Sequence, residues 1–214
     1  MRLFLSSYRI GNRPERLKDL LKGGTKVAVI SNASDHHTEP GIIERIHRDV
    51  MDFSAIGLQA ERLDLREYFD KDSASLYEKL KQYDLVWIRG GNVFNLRRAM
   101  RQSGFDDVIT DMLAMDEIVY GGYSAGACVM APTLLGIDLC DDAELIPDGY
   151  DSEIIWEGIG LVDFSIVPHY KSNHPESKKL DETVFFLEEQ EIPFKTLHDG
   201  EALLIEDDHV ELLS

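Results

Sequence analysis

The segment Ile118-Val119-Tyr120-Gly121-Gly122-Tyr123-Ser124-Ala125-Gly126-Ala127 holds G-x-S-x-G, after an apolar run and before a helix-compatible stretch. The spacing has a chemical reason. A serine on a sharp strand-to-helix turn sits in strained backbone with its hydroxyl exposed above the sheet. Small residues at Gly122 and Gly126 let that turn close, and the free N–H groups behind Ser124 suit a developing oxyanion. A glycine-rich turn without chemistry has the same pattern; the order strand, motif, helix favours a nucleophile.

A second glycine turn, Gly90-Gly91-Asn92, follows the run Leu85–Ile88. Turns of this kind meet at the carboxyl edge of a parallel sheet. The Gly91 N–H can therefore pair with that of Ala125 as an oxyanion hole, while Asn92 serves as an N-cap. A serine nucleophile needs a base. His169 lies just past the run Phe164–Val167 and so at the same edge, whereas His174 reads as surface, His47 as a structural helix-face residue, and His36 and His37 as a polar loop. The base in turn needs an orienting group. Asp199, after the run Phe194–Leu197, is one candidate; Asp138 and Asp141, after the nucleophile helix, are rivals. No His/Cys/Asp spacing resembles a zinc site, so neither metal nor cofactor is expected.

The elements that must position these groups alternate. Runs at Arg2–Leu5, Lys26–Ile30, Gln59–Leu63, Leu85–Ile88, Ile118–Tyr120 and Phe164–Val167 read as strands. Helices are predicted at Pro14–Leu21, Ile42–Ile56, Leu76–Leu80 (capped by Asp72 or Ser73), Asn92–Gln102, Phe105–Leu113 and Glu176–Glu189, with a loop-rich stretch over Pro132–Gly160. Ala202–Ile205 and Val210–Leu213 read as a closing hairpin. The expected class is α/β: a three-layer sandwich, mostly parallel sheet with helices on both faces and a C-terminal β-hairpin. With no linker or repeat, residues 1–214 read as one domain.

Composition narrows the partners. The formal charge of −18 over 214 residues argues against binding nucleic acid or an anionic membrane, which need a basic footprint. No run approaches the roughly 18 apolar residues of a membrane span, and Leu3–Leu5 is too short for a signal-peptide core. Two cysteines, Cys128 and Cys140, fit one bridge or two thiols in a reducing cytoplasm. Cys128 reads as a small buried residue.

Gly122-Tyr123-Ser124-Ala125-Gly126-Ala127, Gly90-Gly91-Asn92, Pro168-His169 and Asp199-Gly200 together resemble peptidase E, the family of aspartyl dipeptidases and relatives such as the cyanophycinases. The likeness runs from the first strand to the closing hairpin. It implies a class I glutamine amidotransferase-like (flavodoxin-like) fold with serine at the elbow. It further implies Ser124 as nucleophile, His169 as base, Gly91 and Ala125 as oxyanion donors, and Asp199 as third member, with Asp138 the alternative. The implied activity is hydrolysis of short peptides, dipeptidase-like and Asp-X where the family pattern is complete. The arginine that aspartyl dipeptidases carry after the histidine has no counterpart in His174–Thr183, where Lys178 and Lys179 are point charges rather than forks. Arg89, Arg97, Arg98 and Arg101 form a local basic cluster; Arg89, beside the Gly91 turn, is placed to meet an anionic substrate, and Arg97 and Arg101 read as a solvated helix face. The expected partner is a small peptide, in the cytoplasm, and a homo-oligomer is compatible with the sequence. Two rivals stand beside this reading: an α/β-hydrolase esterase, in which Asp163 with His198 or His209 imitates the triad order, and a non-catalytic binding module.

Overall fold

The computed structural model describes residues 1–214. Nine strands are present: β1 (Arg2–Ser6), β2 (Lys26–Ile30), β3 (Gln59–Leu63), β4 (Leu85–Ile88), β5 (Val119–Tyr123), β6 (Ser165–Val167), β7 (Phe194–Thr196), β8 (Ala202–Glu206) and β9 (His209–Leu213). Seven of them form the main sheet, in the order β3-β2-β4-β5-β1-β8-β9. Its first five strands are mutually parallel; β8 and β9 are antiparallel and close the edge as a hairpin, with Glu206 opposite His209. The architecture is therefore the expected mostly parallel α/β sheet with a C-terminal hairpin.

Strand periodicity divides the core into two layers, because successive side chains point to opposite faces. Leu3 and Leu5, Ala28 and Ile30, and Val86 and Ile88 face one layer. Phe4, Val27 and Val29, and Leu85 and Trp87 face the other. The first layer is covered by α3 (Ser73–Leu80), α4 (Val93–Ser103), α5 (Phe105–Ala114) and the short α6 (Ala125–Cys128); the second by α1 (Pro14–Leu20) and α2 (Glu39–Ala55). Asp72 caps α3, its side chain accepting the Ala74 N–H at 3.0 Å. Asn92 caps α4 through the Asn95 N–H at 2.9 Å. α7 (Leu180–Glu189) is shorter than the predicted Glu176–Glu189 helix. Pro175–Lys178 forms a separate 3₁₀ turn, which leaves Glu176 on a loop beside the site.

One expectation needs correction. The strand before His169 does not belong to the main sheet. β6 pairs in parallel only with β7, as a separate two-stranded sheet in the register Val167 opposite Thr196. The helix face read as solvated is also corrected. Arg97 is 4% exposed and forks onto Asp106 at 2.9 and 2.8 Å. Arg98 is 1% exposed and donates to the carbonyls of Glu153 and Ala143. These two cations tie α4 to its neighbours, and among the cluster only Arg101 is exposed. Both cysteines are free thiols, Cys128 buried with its Sγ 3.3 Å from the Ile166 carbonyl. No helix is long and apolar enough to cross a membrane.

The start of α6 runs tightly against β4. A Cβ on Gly126 would lie 2.3 Å from the Ile88 carbonyl oxygen, a backbone atom that cannot swing aside. Tyr120 fastens the same turn by donating from its buried hydroxyl to the Gly126 carbonyl at 2.6 Å. Gly126→Ala is therefore expected to lower unfolding stability by about 1–3 kcal/mol, the usual cost of overpacking, measured as a reduced urea midpoint.

Candidate active site

Strand β5 ends at Tyr123, and the chain turns into α6 through Ser124 at φ 52° and ψ −119°, a conformation few non-glycine residues adopt. The backbone is held there by the Ser124 N–H, which donates to the Ser6 carbonyl at 3.2 Å, and by the Ser124 carbonyl, which accepts from Ala127 and Cys128. The hydroxyl remains half-buried at the mouth of a cleft with about 200 Å³ of interior space. That is below the roughly 300–1,000 Å³ of most small-molecule pockets. The same cleft is lined by Gly90, Gly91, His169, His174 and Glu176.

His169 and Asp199 come together through the small sheet. Because Val167 lies opposite Thr196, two further residues on one strand and three on the other bring His169 beside Asp199. Nδ1 of His169 lies 2.6 Å from Oδ1 of Asp199. An ionised carboxylate only accepts, so the ring proton sits on Nδ1 and Nε2 keeps its lone pair. His169 is 1% exposed. Burial pushes its pKa below the ordinary imidazole value of 6.5; the Asp199 hydrogen bond opposes this, and the neighbouring His174 adds to it. The ring is therefore neutral at pH 7.

Ser7 joins the two sheets at this point. Its hydroxyl donates to Asp199 Oδ1 at 2.9 Å and accepts the His169 backbone N–H at 2.8 Å. One buried side chain thus fixes both the carboxylate and the histidine backbone, the latter at φ 59°. Ser172 adds a second tie, accepting the Asp199 N–H at 2.7 Å. Ser7 was not among the residues singled out from sequence. Its signal was its place directly after β1, at the carboxyl edge where sites of parallel sheets form.

Asp138 and Asp141, the other candidate carboxylates, make their contacts elsewhere. Asp138 accepts the Gly136 N–H at 2.9 Å. Asp141 accepts the Val93 N–H at 2.7 Å and so supports the start of α4; burial lifts its pKa to about 7. Neither contacts His169. His198 and His209 do not line the cleft, and Asp163 lines a different depression, so the Ser-acid-His order of an α/β-hydrolase is not assembled.

His174 departs from the expected surface role. Its ring stacks on His169 with centroids 3.7 Å apart and planes 9° from parallel. Tyr8 packs against both rings. His169, His174 and Glu176 bring ligand atoms within 4.8 Å of one another, the nearest approach to a metal-binding cluster. His169 Nδ1 is engaged by Asp199, so of its ring nitrogens only Nε2 is left for such a cluster.

Gly91 lies at φ 149°, and a Cβ there would stand 2.5 Å from the Ala33 carbonyl oxygen. Its N–H has no backbone partner, nor has that of Ala125, the first residue of α6. Arg89, expected to meet an anionic substrate, is instead 4% exposed and hydrogen-bonded to the buried Asp49. Its charge is spent inside the protein. Burial raises Asp49 to about 6 despite this partner. Lys178 and Lys179 do not line the cleft.

The family model for peptidase family S51 matches residues 6–213, and the chain belongs to that family. It is similar to an uncharacterized peptidase of Listeria monocytogenes, 30% identical over 120 residues that cover 55% of this chain and 54% of that protein. It is also similar to a peptidase E of Streptomyces coelicolor, 31% identical over 140 residues, 63% of this chain and 54% of the relative. The chain thus spans about half the length of these two relatives. A peptidase E of Nostoc sp. is 27% identical over 205 residues, covering 93% of this chain and 77% of its own. Among solved structures, a candidate peptidase E protein from Listeria monocytogenes superposes with a TM-score of 0.79 at 26% identity, covering 100% of this chain and 98% of the other.

Ser7→Ala would strand the buried His169 N–H without an acceptor. A loss of about 1–3 kcal/mol in unfolding free energy is expected, read by urea titration, and a stability equal to wild type would show that the Ser7 bridge is not formed.

Proposed function

We propose that the chain is a serine-type peptidase hydrolysing short peptides with a free N-terminus, in the manner of a dipeptidase. Ser124 is the nucleophile, His169 the base and Asp199 its orienting carboxylate. The observation that carries this reading is the 2.6 Å His169–Asp199 hydrogen bond, formed in the same cleft as a serine at φ 52°. Family membership over residues 6–213 supports it.

In this mechanism the neutral Nε2 of His169 takes the Ser124 Oγ proton as the oxygen attacks the scissile carbonyl. Asp199 stabilises the imidazolium that results. The N–H groups of Gly91 and Ala125, free of internal partners, receive the negative oxygen of the tetrahedral intermediate. His169 then protonates the leaving amine. Water, deprotonated by the same ring, releases the acyl group from Ser124.

Ser124→Ala is expected to cut kcat/KM for a cleavable dipeptide by about 10⁴-fold or more while leaving the fold intact. A fluorophosphonate should label wild type at Ser124 and leave the variant unlabelled. Retained turnover in the variant would remove Ser124 from the mechanism. Comparing a p-nitrophenyl ester with a dipeptide series separates a peptidase from an esterase.

The base works only when neutral. Because burial depresses His169, kcat/KM should stay level down to the usual histidine range and fall only below pH 6.5. The Asp199 hydrogen bond raises that pKa, so Asp199→Asn should move the acid limb to still lower pH and reduce the plateau by about 10⁴-fold. An acid limb centred above 6.5 in wild type would contradict the assignment of His169 as a buried base.

A further inference from the structure

Four arginines line the cleft around Ser124: Arg9, Arg45, Arg48 and Arg89, against the carboxylates of Asp49 and Glu176. This concentration of positive charge stands out in a chain of net charge −18. Two of the four are matched within the protein. Arg89 is bonded to Asp49. Arg9 grips Asp52 through both Nε, at 2.7 Å, and Nη2.

Arg45 and Arg48 have no hydrogen bond or ion pair in the protein. They lie three residues apart on the 17-residue helix α2, a spacing that makes them neighbours on one face. Asp49 and Asp52 follow on that face and supply the partners of the other two arginines. Arg45 is half-buried and Arg48 exposed. The field of Arg45 reaches the adjoining loop, where it adds to the burial that lowers His36 and His37. Adjacent like charges on a helix destabilise it slightly. Two unpaired guanidiniums lining one cleft therefore gain most from an anion that fits both. The planar fork of each suits a carboxylate.

We propose that Arg45 and Arg48 form a carboxylate-binding wall of the substrate cleft. The carboxylate is either the C-terminal group of a short peptide or an acidic side chain. This rests on the reading of the cleft as a peptidase site and adds the substrate feature that the cleft selects. A carboxylate held on α2 fixes the peptide at a set distance from Ser124, which favours short substrates.

The test measures binding to the Ser124→Ala protein by calorimetry, with Ala-Leu, Ala-Leu amide and Asp-Leu amide. The first carries only the terminal carboxylate, the second neither carboxylate, and the third only the side-chain one. At least one carboxylate ligand should bind about 10-fold or more tighter than Ala-Leu amide. That advantage should vanish when Arg45→Ala and Arg48→Ala are added, and survive Arg101→Ala, which removes an exposed arginine on α4. Tighter Ala-Leu assigns the wall to the C-terminus; tighter Asp-Leu amide assigns it to an acidic side chain. Equal binding of all three, absence of binding, or an advantage that survives the double substitution overturns the proposal. Cleavage of Ala-Leu by the Ser124→Ala protein would sink the nucleophile assignment alone, because the comparison of affinities does not depend on it.

Discussion

The hydrogen bond between His169 and Asp199 is the contact around which the rest of the site is arranged. Its two members are 30 positions apart in sequence. They meet because β6 and β7 pair in parallel and continue past their ends in step. A two-stranded sheet is a weak platform by itself. Here it is docked on the main sheet by Ser7, which bonds to the backbone of one member and the carboxylate of the other. The bond therefore reports on three things at once: the β6–β7 register, the seat of the small sheet, and the carboxyl edge of β1.

Burial works in two directions around this bond. Removing His169 from water disfavours its charged form, which keeps the ring neutral, as the proposed role of base requires. The same burial disfavours a protonated ring, and the Asp199 hydrogen bond opposes it. His174 stacked above adds to the preference for neutrality. On the other wall of the cleft, α2 handles charge by local pairing. Asp49 and Asp52, four and seven residues after Arg45, quiet Arg89 and Arg9. An acidic chain thus carries a locally positive cleft because carboxylates on α2 are placed against particular arginines and not against all of them.

Much of this was legible from residue order. The apolar runs of β1, β2, β4 and β5, the turns after β4 and β5, and the closing hairpin follow from period-2 burial and glycine punctuation. What the order of residues left open was long-range register. Residue order offers Asp199, Asp138 and Asp141 as candidates, with the family resemblance favouring Asp199; the pairing of Val167 with Thr196 is what sets Asp199 beside His169. The assumption that the strand before His169 joins the main sheet was wrong for the same reason: a run as short as Phe164–Val167 does not announce its partner. Arg97 reads as solvated because its acceptors, the Asp106 carboxylate and the Glu157 carbonyl, lie on segments that local patterning cannot bring to it. Arg45 and Arg48 sit on the polar side of an amphipathic helix, and such a side looks the same whether it faces bulk water or a cleft.

The strained backbone at Ser124 depends on the same strand terminus, the end of β1. A serine at φ 52° persists only where its surroundings over-determine it. Here the restraints are mostly backbone: the Ser124 N–H bound to Ser6, its carbonyl bound by two N–H groups of α6, and α6 pressed onto β4 at Gly126. Ser6 and Ser7 are adjacent at the end of β1, so one strand terminus holds the turn of Ser124 with its carbonyl and the His169–Asp199 pair with the next side chain. A shift of β1 along its neighbours would therefore disturb both halves of the site together. The central position of β1, between β5 and β8, guards against that shift by hydrogen bonding the strand on both sides.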